Sequence, residues 1–505
     1  MTRYLVQQLA DFTADTVLER LPAEVVHESK RLILDSIGCA VAATEELKGR
    51  AGIDYGKIIG GTNPVATIMG TPEKVSLHGA AFANAELINT LDMDAVLPPG
   101  HVTPYVLPGA MAAAEVYHVP GRRLIEAMAS SHEMCFRFGR AMDNQRDTKD
   151  GKLVRLRAFG YASSIFGATA AFGHVRGYSR ETLAHALGIA GLISPVNPQL
   201  GYFEHAPSST VKYLMAGMLA QQALTAAYAG ELGHRGDLQV LDDVEYGYRQ
   251  YIATEKWEPQ HLTDRLGEQW HFPAFSSLKP YPHCRIMHAL MDCLIELVRT
   301  HDLKPDEIES MTVFVEGISQ RAVWLSREVE NSHDAQFCMA HGMAVAAHLV
   351  PPGKAWMSPE LIFSPSVMAL MDRVATVVHP DYVKLLDGNA ASRPARVELT
   401  ARGQRFVAEK RYPKGSPSPD PDTYMTDEEL IAKFSHNCDG VLDPDAVDRL
   451  VEQVMALETV QDFSPVMQLT GARPRPVTPS PLSRDSGEHP RSAAGPRSMA
   501  WSDMA

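Results

Sequence analysis

The stretch NTLDMDAVLPPGHVTP, residues 89–104, sets two carboxylates one residue apart, Asp92 and Asp94, and follows them with a proline-glycine bend and a histidine, His101. An imidazole titrates near neutral pH, so an acid that orients it makes it suited to moving a proton on or off carbon or oxygen. The spacing expects Asp92 to hold His101; it also fits a helix end followed by a solvated proline turn. Two other stretches carry the same ambiguity. In HAPSSTVKYLMAGMLAQQ, Lys212 stands at the start of a small, apolar helix. Its ammonium either snorkels to water or points into a pocket and pairs with a carboxylate. In SSLKPYPHCRIMHALMD, Lys279, His283, Arg285 and His288 gather around a Pro-Tyr-Pro turn ahead of a helix. That is either an anion site or a basic surface loop.

Other chemistries find no support. The chain lacks a Walker A loop, a dinucleotide-binding GxGxxG, a GxSxG elbow and an HExxH pair. His333, His341 and His348 are spaced to share a helix face, but no acid or thiolate cluster completes a metal site, so no metal is expected. The net charge of −14 over 505 residues argues against nucleic acid while leaving room for a small anionic substrate. Six scattered cysteines without a CxxC read as reduced thiols, and no signal core or long apolar run appears, so a cytoplasmic protein without a membrane span is expected.

The elements that must position these residues follow from periodicity. Residues 1–271 read as helix after helix, dense in Ala and Gly, which lets helix axes approach closely. Near residue 272 the pattern changes. Residues 285–300 form an amphipathic helix, IESMTVFVEG alternates like a strand with Met311, Val313 and Val315 on one side, and residues 395–415 suggest a hairpin turning at Ala401-Arg402-Gly403. Helical patterns at 335–350 and 366–378 lie between. Residues 272–415 therefore read as a smaller α+β domain. Helices return over 416–470, capped at Thr426 with Glu429 three residues on. The fold class is mainly α: a large helical domain, discontinuous in sequence, plus an α+β lid. From Gly471 a Pro-, Ser- and Arg-rich tail reads as disordered.

Five of these stretches resemble, in order, the MmgE/PrpD family, whose members include 2-methylcitrate dehydratase, cis-aconitate decarboxylase and iminodisuccinate epimerase: RLILDSIGCAVAA, NTLDMDAVLPPGHVTPYVLPGAMAAAE, STVKYLMAGMLAQQALTAAYAG, LKPYPHCRIMHALMD and YPKGSPSPDPDTYMTDEELIAKF. The resemblance covers about residues 5 to 470. It implies a helical domain with an α+β lid, a homodimer, and catalysis without metal or organic cofactor. Asp92, Asp94, His101, Lys212, Lys279, Pro282, Cys284 and His288 fall on the family's motif positions. Three departures stand out. Ala95 and Val96 replace an acid and a threonine, Tyr161 stands where the family often has a histidine, and His341 where it often has a tyrosine. The resemblance implies a lyase working next to a carboxylate of a small di- or tricarboxylate, foremost dehydration of a 2-methylcitrate-like or alkylcitrate-like acid. An epimerase, a decarboxylase or a non-catalytic metabolite-binding relative are the alternatives. In that scheme His101, held by Asp92, moves the proton, and Tyr161 or His341 is the second acid/base. Lys212, Lys279 and Arg285 hold carboxylates, with His283, His288 and Asp94 beside them.

Overall fold

Small residues explain how the helices pack. In the computed structural model, which describes residues 3–471 apart from 145, 150–151, 154–159, 387–388 and 390, helices α1 (Leu5–Asp15), α2 (Ala23–Ala42), α3 (Leu47–Gly60) and α4 (Leu77–Thr90) come first. All of α4 but His78 is buried, consistent with its lack of a polar face. The side chain of Ser76 caps it, accepting from the Gly79 amide at 3.2 Å. A methyl group on Gly56 of α3 would lie 2.7 Å from the Gly79 carbonyl of α4. Only glycine allows that approach.

Against α4 pack α5 (Thr103–Val116) and α9 (Ala216–Glu231); α7 (Ser164–Val175) packs on both of these, and α6 (Gly121–Ala141) and α8 (Arg180–Ile193) pack on α7. The sequence pattern had not singled out α6. Lys212 is not at a helix start as expected: α9 begins at Ala216, and Lys212 sits in the preceding turn at φ 59°.

The block after residue 272 contains α10 (His288–Thr300) and a four-stranded sheet of β1 (Ile308–Val315), β2 (Val374–Val378), β3 (Ala395–Ala401) and β4 (Gln404–Lys410) in the order β4-β3-β1-β2. β1 runs parallel to β2 and antiparallel to β3. Met311, Val313 and Val315 are buried as their alternation requires. The β3–β4 hairpin turns through Arg402 and Gly403, both at positive φ.

Two helical expectations are corrected here. Residues 374–378 form β2, because the β-branched run Val374, Thr376, Val377, Val378 finds β1 to pair with. The 335–350 pattern is broken at Cys338 into α11 (Ser332–Phe337) and α12 (Met339–Ala346). His333, His341 and His348 therefore share no helix face. They bond separately to Tyr202 and Ser208, to the Ile362 carbonyl, and to the Ala344 carbonyl and Ser366.

The next segment adds α13 (Pro365–Met371) before β2. After the sheet, α14 (Asp427–Cys438), with Thr426 and Glu429 forming the expected capping box, packs against α2. A methyl on Gly38 of α2 would meet the Phe434 ring at 2.9 Å. The described residues, 3–471, fall within one compact unit. Beyond Gly471 the expected tail lies outside the described residues. Among those described, all six cysteines are free thiols and no helix is long and apolar enough to cross a membrane.

Candidate active site

The site is built on the C-terminal end of α4. Four backbone carbonyls there face side-chain donors from distant segments. Asn89 O accepts from Lys212 Nζ (2.6 Å), Thr90 O from Gln336 Nε2 (3.1 Å), Asp92 O from Lys279 Nζ (2.7 Å) and Met93 O from Lys433 Nζ (2.9 Å). Three of the donors are ammoniums, the charge that the negative end of a helix favours.

A carboxylate at a helix C-terminus is misplaced by the same rule, yet Asp92 lies there, at φ 50° and 1% exposed. Its left-handed backbone costs on the order of 1–2 kcal/mol. The two lysines compensate: Lys212 Nζ is 3.1 Å from Asp92 Oδ1, and Lys279 Nζ is 3.0 Å from Oδ2. Burial would raise the Asp92 carboxyl, but the two ammoniums overcome it and hold the group well below the usual carboxylate range. One carboxylate cannot fully compensate two buried ammoniums. Burial, only partly opposed by Asp92, pushes Lys212 down to about 8.

His101 sits on the second arm of a short ribbon, Val96–Leu97 paired with Gly100–His101. Contrary to the expectation that Asp92 holds it, the acid on its Nδ1 is Asp94, at 2.6 Å; Asp92 Oδ1 lies 3.5 Å from Nε2. The two-residue spacing places both acids on the imidazole's two nitrogens. Asp92 is drawn off by the lysines, which leaves Asp94 to fix the ring. Burial raises the Asp94 carboxyl, and His101 more than reverses that. Asn89 Nδ2 lies 3.4 Å from both Asp94 Oδ1 and His101 Nδ1, and Lys48 holds the Asn89 amide oxygen at 2.9 Å.

Aromatic rings wall the imidazole. Tyr161 meets it edge-on with ring centroids 6.3 Å apart, and Tyr213 tilts over it at 5.4 Å. A methyl at Gly100 would fall 1.7 Å from Tyr161 Cε1, so the glycine lets the phenol close in. Burial raises the Tyr161 phenol far above its ordinary value, which keeps it a neutral donor. The buried hydroxyls of Tyr105 and Tyr213 and both ring nitrogens of His283 have no hydrogen-bond partner among the described residues, an arrangement that suits a polar ligand. Burial, with His341 beside it, pushes His283 down to about 3, so it is neutral.

Arg285 and His288 serve the chain more than the cluster. Both Nη1 protons of Arg285 go to His288 Nδ1 (3.0 Å) and Lys414 O (2.9 Å), Nη2 donates to Ser416, and His288 Nε2 donates to His283 O (2.9 Å). His341 stands behind His283, its Nε2 bonded to Ile362 O at 2.9 Å. The structure thus brings Asp92, Asp94, His101, Lys212, Lys279 and Tyr161 together, with His283 adjacent. Asn89, Lys48, Gln336 and Lys433 are additions. Asn89 had a signal, since it lies three residues before Asp92. The other three are ordinary polar positions in helices that pattern alone cannot connect.

The facing oxygens and nitrogen of Asp92, Asp94 and His101 lie within 4.8 Å of one another, a spacing that could also hold a cation. Two ammoniums already occupy Asp92, so a divalent ion would meet like charge at close range. The donor set therefore suits proton transfer and anion binding better than a metal.

A mainly helical chain with this buried acid-imidazole-ammonium cluster matches one family over both its parts. Residues 7–260 match the MmgE/PrpD N-terminal domain and residues 281–459 the MmgE/PrpD C-terminal domain, and the chain belongs to that family. Among its relatives, the cis-aconitate decarboxylase of Mus musculus is 23% identical over 93% of this chain and 94% of that protein. The cis-aconitate decarboxylase of Homo sapiens is 25% identical (92% and 94%), and that of Aspergillus terreus 22% (92% and 95%).

Proposed function

We propose that this protein is a cofactor-independent lyase that breaks a bond next to a carboxylate of a small di- or tricarboxylate, and that the bond is carbon–carbon, with CO2 leaving. The observation that carries the reading is the pairing of a buried, Asp94-oriented imidazole with two ammoniums that share one carboxylate. Each ammonium has three protons and two identified acceptors. The third proton of each is directed to substrate carboxylates. Decarboxylation needs one proton: the carbon–carbon bond breaks, its electron pair passes into the neighbouring carboxylate-bearing alkene, and the His101 imidazolium protonates carbon. Water then restores the imidazolium, and the hydroxide it leaves combines with the released CO2 as bicarbonate. The aromatic walls at Tyr161 and Tyr213 strip water from the departing carboxylate. The full-length similarity to decarboxylases favours this over dehydration.

Dehydration of an alkylcitrate-like acid is the second reading, favoured by the Tyr161 phenol, a neutral donor for a leaving hydroxyl opposite His101 as base. A cytoplasmic homodimer belongs to the same proposal.

The test is proton NMR in heavy water with cis-aconitate, 2-methylcitrate, citrate and malate as substrates. Loss of CO2 with one deuteron placed on product carbon is expected, and His101→Gln lowers turnover by about 10²–10⁴-fold. A folded His101→Gln protein with full turnover, or no reaction with any of these acids, sinks the proposal.

A further inference from the structure

The cluster holds a buried donor besides its ammoniums and its imidazole. Tyr213 follows Lys212 directly in sequence. The left-handed turn at Lys212, φ 59°, brings both side chains to the cluster: the Lys212 ammonium reaches Asp92 Oδ1 at 3.1 Å, and the Tyr213 ring tilts over His101 with centroids 5.4 Å apart. Tyr213 is buried, and the rings of Tyr161, Tyr202 and Phe203 pack on it with centroids 4.8, 5.5 and 6.0 Å away. Its backbone carbonyl accepts from Asn197 Nδ2 at 3.0 Å. These contacts leave the ring little freedom to turn.

The Tyr213 hydroxyl has no hydrogen-bond partner among the described residues. The neighbouring Tyr202 shows the ordinary arrangement, its hydroxyl 3.2 Å from His333 Nε2. A buried hydroxyl without a partner costs stability, and a phenylalanine would fill the same space without that cost. A hydroxyl kept at that cost calls for an acceptor that arrives with a ligand. Burial raises the Tyr213 phenol far above its ordinary value, and the Asp92 carboxylate, ahead of Asp94, raises it further, so the hydroxyl stays protonated and lies within the field of Asp92. Asp92 Oδ1 is also 3.5 Å from His101 Nε2, the nitrogen that Asp94 does not hold. The phenol, the Lys212 ammonium and the proton-carrying edge of His101 therefore meet around Asp92.

We propose that the Tyr213 hydroxyl, set beside the Lys212 ammonium and over His101, is a catalytic residue that donates a hydrogen bond to the substrate carboxylate receiving the electron pair. This rests on the decarboxylase reading of the His101 site. As CO2 leaves, the pair passes through the alkene into the neighbouring carboxylate, whose oxygens gain charge. Protonation of carbon by the His101 imidazolium draws the pair back into the new carbon–hydrogen bond, and the phenol keeps its own proton throughout. An ammonium already binds the ground-state carboxylate strongly. A neutral hydroxyl gains most while the extra charge is present, so its effect falls on turnover more than on binding. The departing carboxylate must shed its charge and gains nothing from a donor; it meets the face of the ring, not its hydroxyl edge.

The test is steady-state kinetics of Tyr213→Phe in the full chain, with whichever of the four acids named above the wild type turns over. kcat is expected to fall about 10²-fold and KM to change about twofold or less. The urea midpoint is expected to hold or rise, because a hydroxyl without a partner has been removed. A folded Tyr213→Phe protein with wild-type kcat, whether or not its KM rises, makes the hydroxyl a packing or binding group and overturns the inference while leaving the His101 site standing. Should Tyr213→Phe fail to fold, 3-fluorotyrosine incorporated at position 213 keeps both ring and hydroxyl and decides by fluorine NMR. Its resonance is expected to shift on saturation with propane-1,2,3-tricarboxylate, a saturated acid that does not react by this route, and an unmoved resonance overturns the inference. A wild-type protein that turns over none of the four acids overturns the underlying reading as well.

Discussion

The β3–β4 hairpin and the end of α4 obey opposite rules. In the hairpin each local choice agrees with the fold. Ala395, Val397, Leu399 and Ala401 alternate inward, Arg402-Gly403 supplies the positive-φ turn, and charges such as Arg405 and Glu398 pair on the outer face. At the end of α4 the local choices are wrong. An acid occupies the helix C-terminus, Asp92 and its partner Lys212 are both left-handed non-glycine residues, and two ammoniums are buried. Only contacts more than 100 residues away in sequence make that arrangement tolerable. Local agreement marks scaffold, and local violation balanced from afar marks a site that function keeps.

The contrast breaks most sharply at Asp92. Asp92→Asn keeps a side chain that tolerates left-handed backbone but strands two buried ammoniums. It is expected to cost about 3–5 kcal/mol, read as a lowered urea midpoint, and to abolish turnover. Adding Lys212→Met removes one stranded charge and recovers part of the stability without the activity. If Asp92→Asn is as stable as wild type, the cluster is not the balanced unit described here.

That contrast also explains what the sequence revealed. The hairpin, β1, α4 and the Thr426 cap were legible because each follows from its own neighbours. So were the residue types of the cluster, since Asp92, Asp94, His101, Lys212 and Lys279 stand out chemically. Their wiring was not legible. Which acid holds His101 depends on where two lysines arrive from other segments, and that reverses the expectation for Asp92 and Asp94. β2 was misread for a related reason, because a short β-branched run becomes a strand only when a partner edge is present.

A smaller, pH-dependent effect sharpens the comparison at Lys212. Its folded value of about 8 lies below the ordinary 10.5, so the folded protein binds fewer protons at Lys212 than the unfolded chain between those two values. The charge is fully present below pH about 8 and lost above it. Carboxylate affinity is therefore expected to fall as pH rises through about 8. Over the same window, the penalty of burying Lys212 is relieved, so stability relative to Lys212→Met rises. Affinity and stability moving in the same direction above pH about 8 contradict the assignment.

The smallest effect belongs to the hairpin. Arg405 reaches Glu398 at 2.6 Å, but its side chain is 66% exposed, and solvent screens such a pair. Arg405→Ala is expected to change unfolding free energy by less than about 0.5 kcal/mol and to leave turnover unchanged. The value of the experiment lies in its ratio to Asp92→Asn. Both substitutions remove one member of an ion pair with good geometry, and the expected costs differ by about six-fold or more because only one pair is buried. If the two costs came out alike, burial would not be what separates site from scaffold, and the reading of α4 would have to rest on chemistry other than charge balance.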